Sequence, residues 1–143
     1  MGKKRIVKKG NEGGAAGARG AASRVSKRKL STGILNIEAT FNNTKISFTD
    51  NTGGVVLWSS SGSLGFSGAK KGTPFAAAKV GELIGEKAAA MGVRDAQVHV
   101  SGVGAGRESA IRAFSSKGIQ ISSIKDMTPV PHNGPRPPKP RRV

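Results

Sequence analysis

The sequence predicts an α/β domain, a mixed five-stranded sheet of element order βββαβαβ flanked by helices, with a basic extended tail at each end. Three observations carry this prediction. Apolar residues alternate with period two in three short runs between residues 33 and 60, and helical spacing takes over after Pro74. Beyond residue 94 a strand pattern, a helix pattern and a strand pattern follow in turn, and strands joined through helices imply right-handed crossovers. The charge supplies the third observation. Of the net +16, residues 1–30 hold ten Lys and Arg against Glu12, residues 129–143 hold four against no acid, and residues 31–128 net only +3.

Taken in order, Leu35, Ile37, Ala39 and Phe41 alternate with polar residues, Asn42 and Asn43 supply a turn, and Ile46 and Phe48 resume the alternation. The cluster DNTGG at 50–54 turns the chain into VVLWSS, so three antiparallel strands run from about Gly33 to Ser60, the second antiparallel to both neighbours. Thr73 is placed to cap a helix with Pro74 in its first turn, Val80, Leu83, Ile84 and Met91 on one face, and Gly92 at its end. Gly81 and Gly85, one turn apart, are expected to let this helix pack close to the sheet. Ala96, Val98 and Val100 mark the next strand, followed by a glycine loop, a helix from about Arg107 to Lys117 closed by Gly118, and a last strand in GIQISSIKDMT.

A chain of 143 residues reads as one domain, with a disordered basic arm (1–30), an RNA-binding α/β domain (31–128) and a Pro/Arg-rich extended tail (129–143). Two basic arms are best compensated by a polyphosphate, so nucleic acid is the expected partner. No apolar run approaches the ~20 residues of a membrane span and the N-terminus lacks a signal peptide, so no membrane partner and a cytoplasmic location are expected. The absence of cysteine removes disulfides, thiolate metal sites and cysteine nucleophiles together. In TPVPHNGPRPPKPRRV, six of the seven prolines hold the backbone near polyproline II geometry and present the cations on a stiff rod.

Several segments carry candidate RNA contacts. In VSGVGAGRES a strand ends in a glycine loop that opens a helix, where Gly104 and Gly106 would bring backbone N–H groups to a phosphate and Arg107 would fork onto it. The spacing lacks the Lys-Ser/Thr pair of a nucleotide-binding P-loop, so backbone phosphates of RNA are expected there and no small-molecule substrate. Lys70 and Lys71 precede the first helix and read as phosphate contacts, with Phe66 beneath them in the core. Lys27, Arg28 and Lys29 at the root of the arm, and Asn133, Arg136, Lys139, Arg141 and Arg142 in the tail, complete the set. With one Trp, five Phe and no Tyr, readout should rest on shape and backbone. The carboxylates show no metal-ligand spacing, and His99 and His132 are isolated, so no catalysis, metal or cofactor is expected. Asn133-Gly134 is a succinimide-prone dipeptide, since the glycine nitrogen meets no side chain on its way to the asparagine amide.

From Gly33 onward the chain resembles the small-subunit ribosomal protein S-eleven family, most specifically in GTPFAAAKVGELIGEKAAAMG, SGVGAGRESAIRAF and DMTPVPHNGPRPPKPRRV. The ending resembles the bacterial form, and an organellar version stays open. The resemblance implies a ribonuclease-H-like three-layer fold without nuclease activity, on the platform of the small subunit. It further implies that the protein bridges small-subunit rRNA helices, touches neighbouring small-subunit proteins and helps line the cleft for the messenger's Shine-Dalgarno leader. Many members carry Pro-Gly-Pro-Gly where this chain has Val103-Gly104-Ala105-Gly106, which should leave the free loop floppier. The alternatives are a metal-dependent nuclease of the same fold and a general RNA/DNA chaperone.

Overall fold

Alternation becomes a sheet here because each inner strand hides every second residue against two helices. The computed structural model describes residues 28–142. Its elements are β1 (Thr32–Ala39), β2 (Thr44–Thr49), β3 (Val55–Ser60), a short 3-10 turn (Gly68–Gly72), α1 (Pro74–Ala90), β4 (Asp95–Ser101), α2 (Arg107–Ser115) and β5 (Gln120–Asp126). The strand order is β3-β2-β1-β4-β5, with β2 antiparallel to β1 and β3 and β4 parallel to β1 and β5. The expected α/β class, element order and mixed five-stranded sheet are therefore all present. Leu35 and Ile37 of β1, Ile46 and Phe48 of β2, and Val98 and Val100 of β4 meet Val80 and Ile84 of α1 and Phe114 of α2 in one core. The Phe48 and Phe114 rings lie 6.2 Å apart at its centre.

Helix α1 starts where expected. Thr73 is extended, its hydroxyl accepts from the Ala76 N–H at 3.4 Å, and Pro74 fills the first turn. It ends at Gly92, whose φ of +89° a side chain would strain.

Five expectations are corrected. Both helices cover the same sheet face, because β3–α1–β4 and β4–α2–β5 cross the sheet in the same direction with the same hand. Asn36, Ser47, His99 and Lys125 share the other face, which no described element covers, so the third layer is absent among the described residues. Gly81 and Gly85 serve the contact between helices, not the sheet: a Cβ on Gly81 would lie 2.6 Å from Ala110 O, and one on Gly85 2.9 Å from Lys117 Cγ. Phe41 falls outside β1 and is 77% exposed, because the hairpin closes one residue earlier through Thr40 N–H to Asn43 O at 2.8 Å. Phe66 is half-exposed and packs edge-on against Phe75 at 6.1 Å, outside the core. The tail is no continuous rod, since it bends at His132–Asn133, where Asn133 has a φ of +64°.

Leu30 packs against the core and donates its N–H to Met91 O, the first such contact among the described residues. The rest of the arm, Lys27 included, lies outside the described residues.

Candidate nucleic-acid interface

The topology sends the carboxyl ends of β1, β3, β4 and β5 to one pole of the sheet, together with the amino ends of both helices. Three loops interlock there. A Cβ on Gly72 would meet Phe41 O at 2.1 Å, one on Gly104 would meet Thr40 O at 2.3 Å, and one on Gly106 would meet Thr44 Oγ1 at 2.5 Å and Ala77 Cβ at 2.6 Å. These glycines are small because other chain segments occupy the space a side chain would need. The Gly104 N–H is also spent inward, on Ala39 O at 2.9 Å, so it is not offered to a phosphate, and the loop is pinned despite lacking the two prolines.

Electrostatics distinguish the two helix ends at this pole. The first turn of α2 carries the exposed Glu108, which occupies the favourable field an anion would seek. The first turn of α1 carries no acid, and immediately before it the 3-10 turn presents exposed Lys70 and half-buried Lys71. Neither lysine is paired with a described carboxylate. The anion-attracting feature of the pole is thus the start of α1 with its two lysines.

Arg107 does something other than fork outward. Its guanidinium donates to Gly102 O, to Thr128 Oγ1 at 3.4 Å and to Asp126 Oδ2 at 2.7 Å. Asp126 Oδ1 in turn accepts from the Thr128 hydroxyl at 2.7 Å and the Thr128 N–H at 3.0 Å, while Gly102 N–H donates to the same hydroxyl. The Thr128 hydroxyl and amide, and then Arg107, hold the Asp126 carboxyl well below the ordinary aspartate range. Together with Met127 N–H to Val100 O at 2.7 Å, this clamp ties the glycine loop to the end of β5 and sets the direction in which the tail leaves. Sequence reasoning missed it, although Asp126-x-Thr128 has the spacing of a side-chain-closed turn.

The remaining candidates are distributed. Arg28 and Lys29 are exposed at the opposite, amino pole, about 23 Å away along the eight residues of β1. Arg94, unremarked in the sequence, joins them there: its N–H reaches Ser31 O at 3.0 Å and it is exposed without a described carboxylate partner. Asn133, Arg136, Lys139, Arg141 and Arg142 are exposed along the tail, whose bend is tight enough that a Cβ on Gly134 would meet Pro131 Cβ at 2.7 Å. No three His, Asp or Glu side chains among the described residues converge as metal ligands.

Comparison with known proteins gives a consistent answer. A family model described as "Ribosomal protein S11" matches residues 33–142. The protein called small ribosomal subunit protein uS11 in Solibacter usitatus is 52% identical over 128 residues, covering 90% of this chain and 95% of the relative. Its namesakes in Gloeobacter violaceus and Thermosynechococcus vestitus are 51% and 50% identical, covering 87% and 90% of this chain and 96% and 99% of theirs. With the fold order, the basic tail and these matches agreeing over nearly the whole described chain, the protein belongs to the ribosomal protein S11 family.

Proposed function

We propose that this chain is a non-enzymatic structural constituent of the small ribosomal subunit that holds rRNA at both poles of its sheet and along its tail, and so bridges separate rRNA helices. The observation that carries this reading is the placement of cations without described carboxylate partners: Lys70 and Lys71 at the carboxyl pole, Arg28, Lys29 and Arg94 at the amino pole, and four in the tail. The poles are separated by about 23 Å, more than two Debye lengths of ~8 Å at physiological salt, so each engages its own phosphates. Contacts of this kind recognise backbone and shape, and an extended tail carrying four cations suits a strand passing between helices. Platform location, neighbouring small-subunit proteins, a share in the Shine-Dalgarno cleft of the messenger leader and a cytoplasmic ribosome follow from the family resemblance and belong to the same proposal.

The test combines binding and assembly. Deleting residues 1–29 while keeping Leu30, or changing Lys70 and Lys71 to Gln, should each flatten the plot of log K against log salt for small-subunit rRNA. Each lost contact should remove roughly 0.7–0.9 from the magnitude of the slope. The intact chain should co-sediment with small subunits through a high-salt wash. Unchanged slopes in both variants, or loss of the intact chain in the wash, would overturn the proposal.

A further inference from the structure

We propose that the groove between the free edge of β3 and helix α1 docks an extended segment of another small-subunit protein, one that alternates basic and apolar residues. The inference rests on the ribosomal reading above but uses a surface that none of the RNA candidates touches. Two adjoining hollows, of about 460 and 470 Å³, share Leu64 and Leu83 as a common wall. On the helix side Phe75 is 63% exposed, and Trp58, whose pairing with Ser47 turns its side chain to the uncovered sheet face, is 64% exposed at the rim of the strand edge. Apolar surface of this kind beside a free strand edge is costly to leave in water and marks an interaction surface.

Charge decides the class of partner. The groove is lined by Lys79 and Lys87 against Glu82 and Glu86, so on a chain of net +16 this surface is neutral. Lys79 is already turned to Glu82 at 3.3 Å and lies 5.5 Å from the centre of the Phe75 ring, and Glu86 holds Lys117 at 2.9 Å. A phosphate backbone would gain nothing here and would face two carboxylates. A cationic peptide fits better: Glu82 and Glu86 are one helical turn apart, about 6 Å along the axis. That is close to the ~6.6 Å between alternate side chains of an extended strand. Basic residues at i and i+2 can reach both carboxylates while the residues between them, on the opposite face of the added strand, pack on Trp58.

The strand edge supplies the backbone partner. Ser61 N–H turns inward to Thr44 O of β2 at 3.0 Å, while Ser60 N–H turns outward to Ser63 Oγ at 2.9 Å. By the alternation of an antiparallel ladder the N–H and C=O of Trp58 also point outward, and no described residue meets them. The Ser63 and Leu64 amides close the edge at Ser60 O, so an added strand would pair beside Trp58 and stop there.

Trp58 is the only tryptophan, so its emission reports occupancy of the groove in the purified chain. A peptide of alternating Arg and Val should shift that emission to the blue saturably, and a peptide of alternating Glu and Val should not. Glu82→Gln and Glu86→Gln should each weaken binding of the Arg peptide roughly two- to fivefold, the range of an exposed ion pair. In assembled subunits, benzoylphenylalanine in place of Phe75 should crosslink to a basic, apolar stretch of a neighbouring protein. Equal binding of both peptides, or crosslinks to rRNA or to nothing in subunits that have incorporated the chain, would overturn the inference. Failure to incorporate, with Arg-peptide binding intact, would instead overturn the ribosomal reading and leave the groove chemistry standing.

Discussion

Arg107 offers the sharpest division between a side chain that touches RNA and one that aims another segment at it. The four tail cations, if all reach phosphates, account for roughly 2.8–3.6 units of salt slope, which over a fourfold range of salt is about 50- to 150-fold in affinity. One direct phosphate contact by Arg107 would account for about threefold over the same range. The clamp predicts that Arg107→Ala weakens binding of the intact chain by freeing the tail's exit from Gly102, Asp126 and Thr128. It should have almost no effect once Arg136, Lys139, Arg141 and Arg142 have been changed to Gln. Filter binding to small-subunit rRNA from about 50 to 200 mM salt, on the parent, the two variants and their combination, closes a double-mutant cycle. Circular dichroism on each chain confirms that the domain is folded. If Arg107→Ala lowers the slope by the same 0.7–0.9 with and without the tail charges, Arg107 is a phosphate ligand and the positioning argument fails.

Three further outcomes are expected. The Asp126 carboxyl is depressed in the folded chain, so its contribution is fully present above the unfolded value near 4 and is lost as pH falls through the folded one; the difference in Tm between parent and Asp126→Asn should be constant near neutrality and close in acid, and a gap independent of pH would show that the charge is irrelevant. Gly81→Ala should destabilise in urea despite a helix-propensity gain of about 1 kcal/mol, because the new methyl meets the Ala110 carbonyl at 2.6 Å; a gain of that size would mean the helices part freely. Conversion of Asn133 to aspartate or isoaspartate, followed by mass spectrometry of residues 126–141, should run faster in free protein than in assembled subunits, since RNA contact would restrain the bend; equal or faster conversion in subunits would show that the segment is unrestrained there.

The strands were legible because burying one face of a strand leaves a period-two trace, and Leu35, Ile37, Ile46, Phe48, Val98 and Val100 carry it without exception. The start of α1 was legible for an equally local reason, a hydroxyl and a proline in adjacent positions. What failed were statements about neighbours. Gly81 and Gly85 announce that something comes close, yet only the strand order β3-β2-β1-β4-β5 makes that neighbour α2. The same order puts both crossovers on one face, which no local pattern encodes. Phe41 continued the alternation by two residues, but hydrogen bonding of Thr40 to Asn43 ended the strand first.

The same limit governs the candidate interface, where residue type was easier to read than direction. Arg107 and the lysines at 70 and 71 each look like phosphate ligands in one dimension, and what separates them is the carboxylate each finds after folding. Arg107 meets Asp126, which sits 19 residues away in sequence, and three of its five donors are spent on Gly102, Thr128 and Asp126. Lys70 and Lys71 meet none among the described residues and stand at a helix end free of acid. An exposed ion pair contributes at most about 1 kcal/mol, so pairing alone would not keep a lysine such as Lys45, opposite Glu38 at 3.4 Å, from RNA. The stronger effect is that its carboxylate partner stays beside it and repels the incoming phosphate within the Debye length of ~8 Å. Cations that form no ion pair with a described carboxylate escape the closest part of that penalty. In this fold they are the ones at the two poles and in the tail, together with Lys87 in the groove and Lys125 on the uncovered face, where isolated single charges gain little from a polyanion. On the reading proposed above, clustering and not charge alone would direct RNA to the poles and the tail and leave the neutral groove beside β3 to protein.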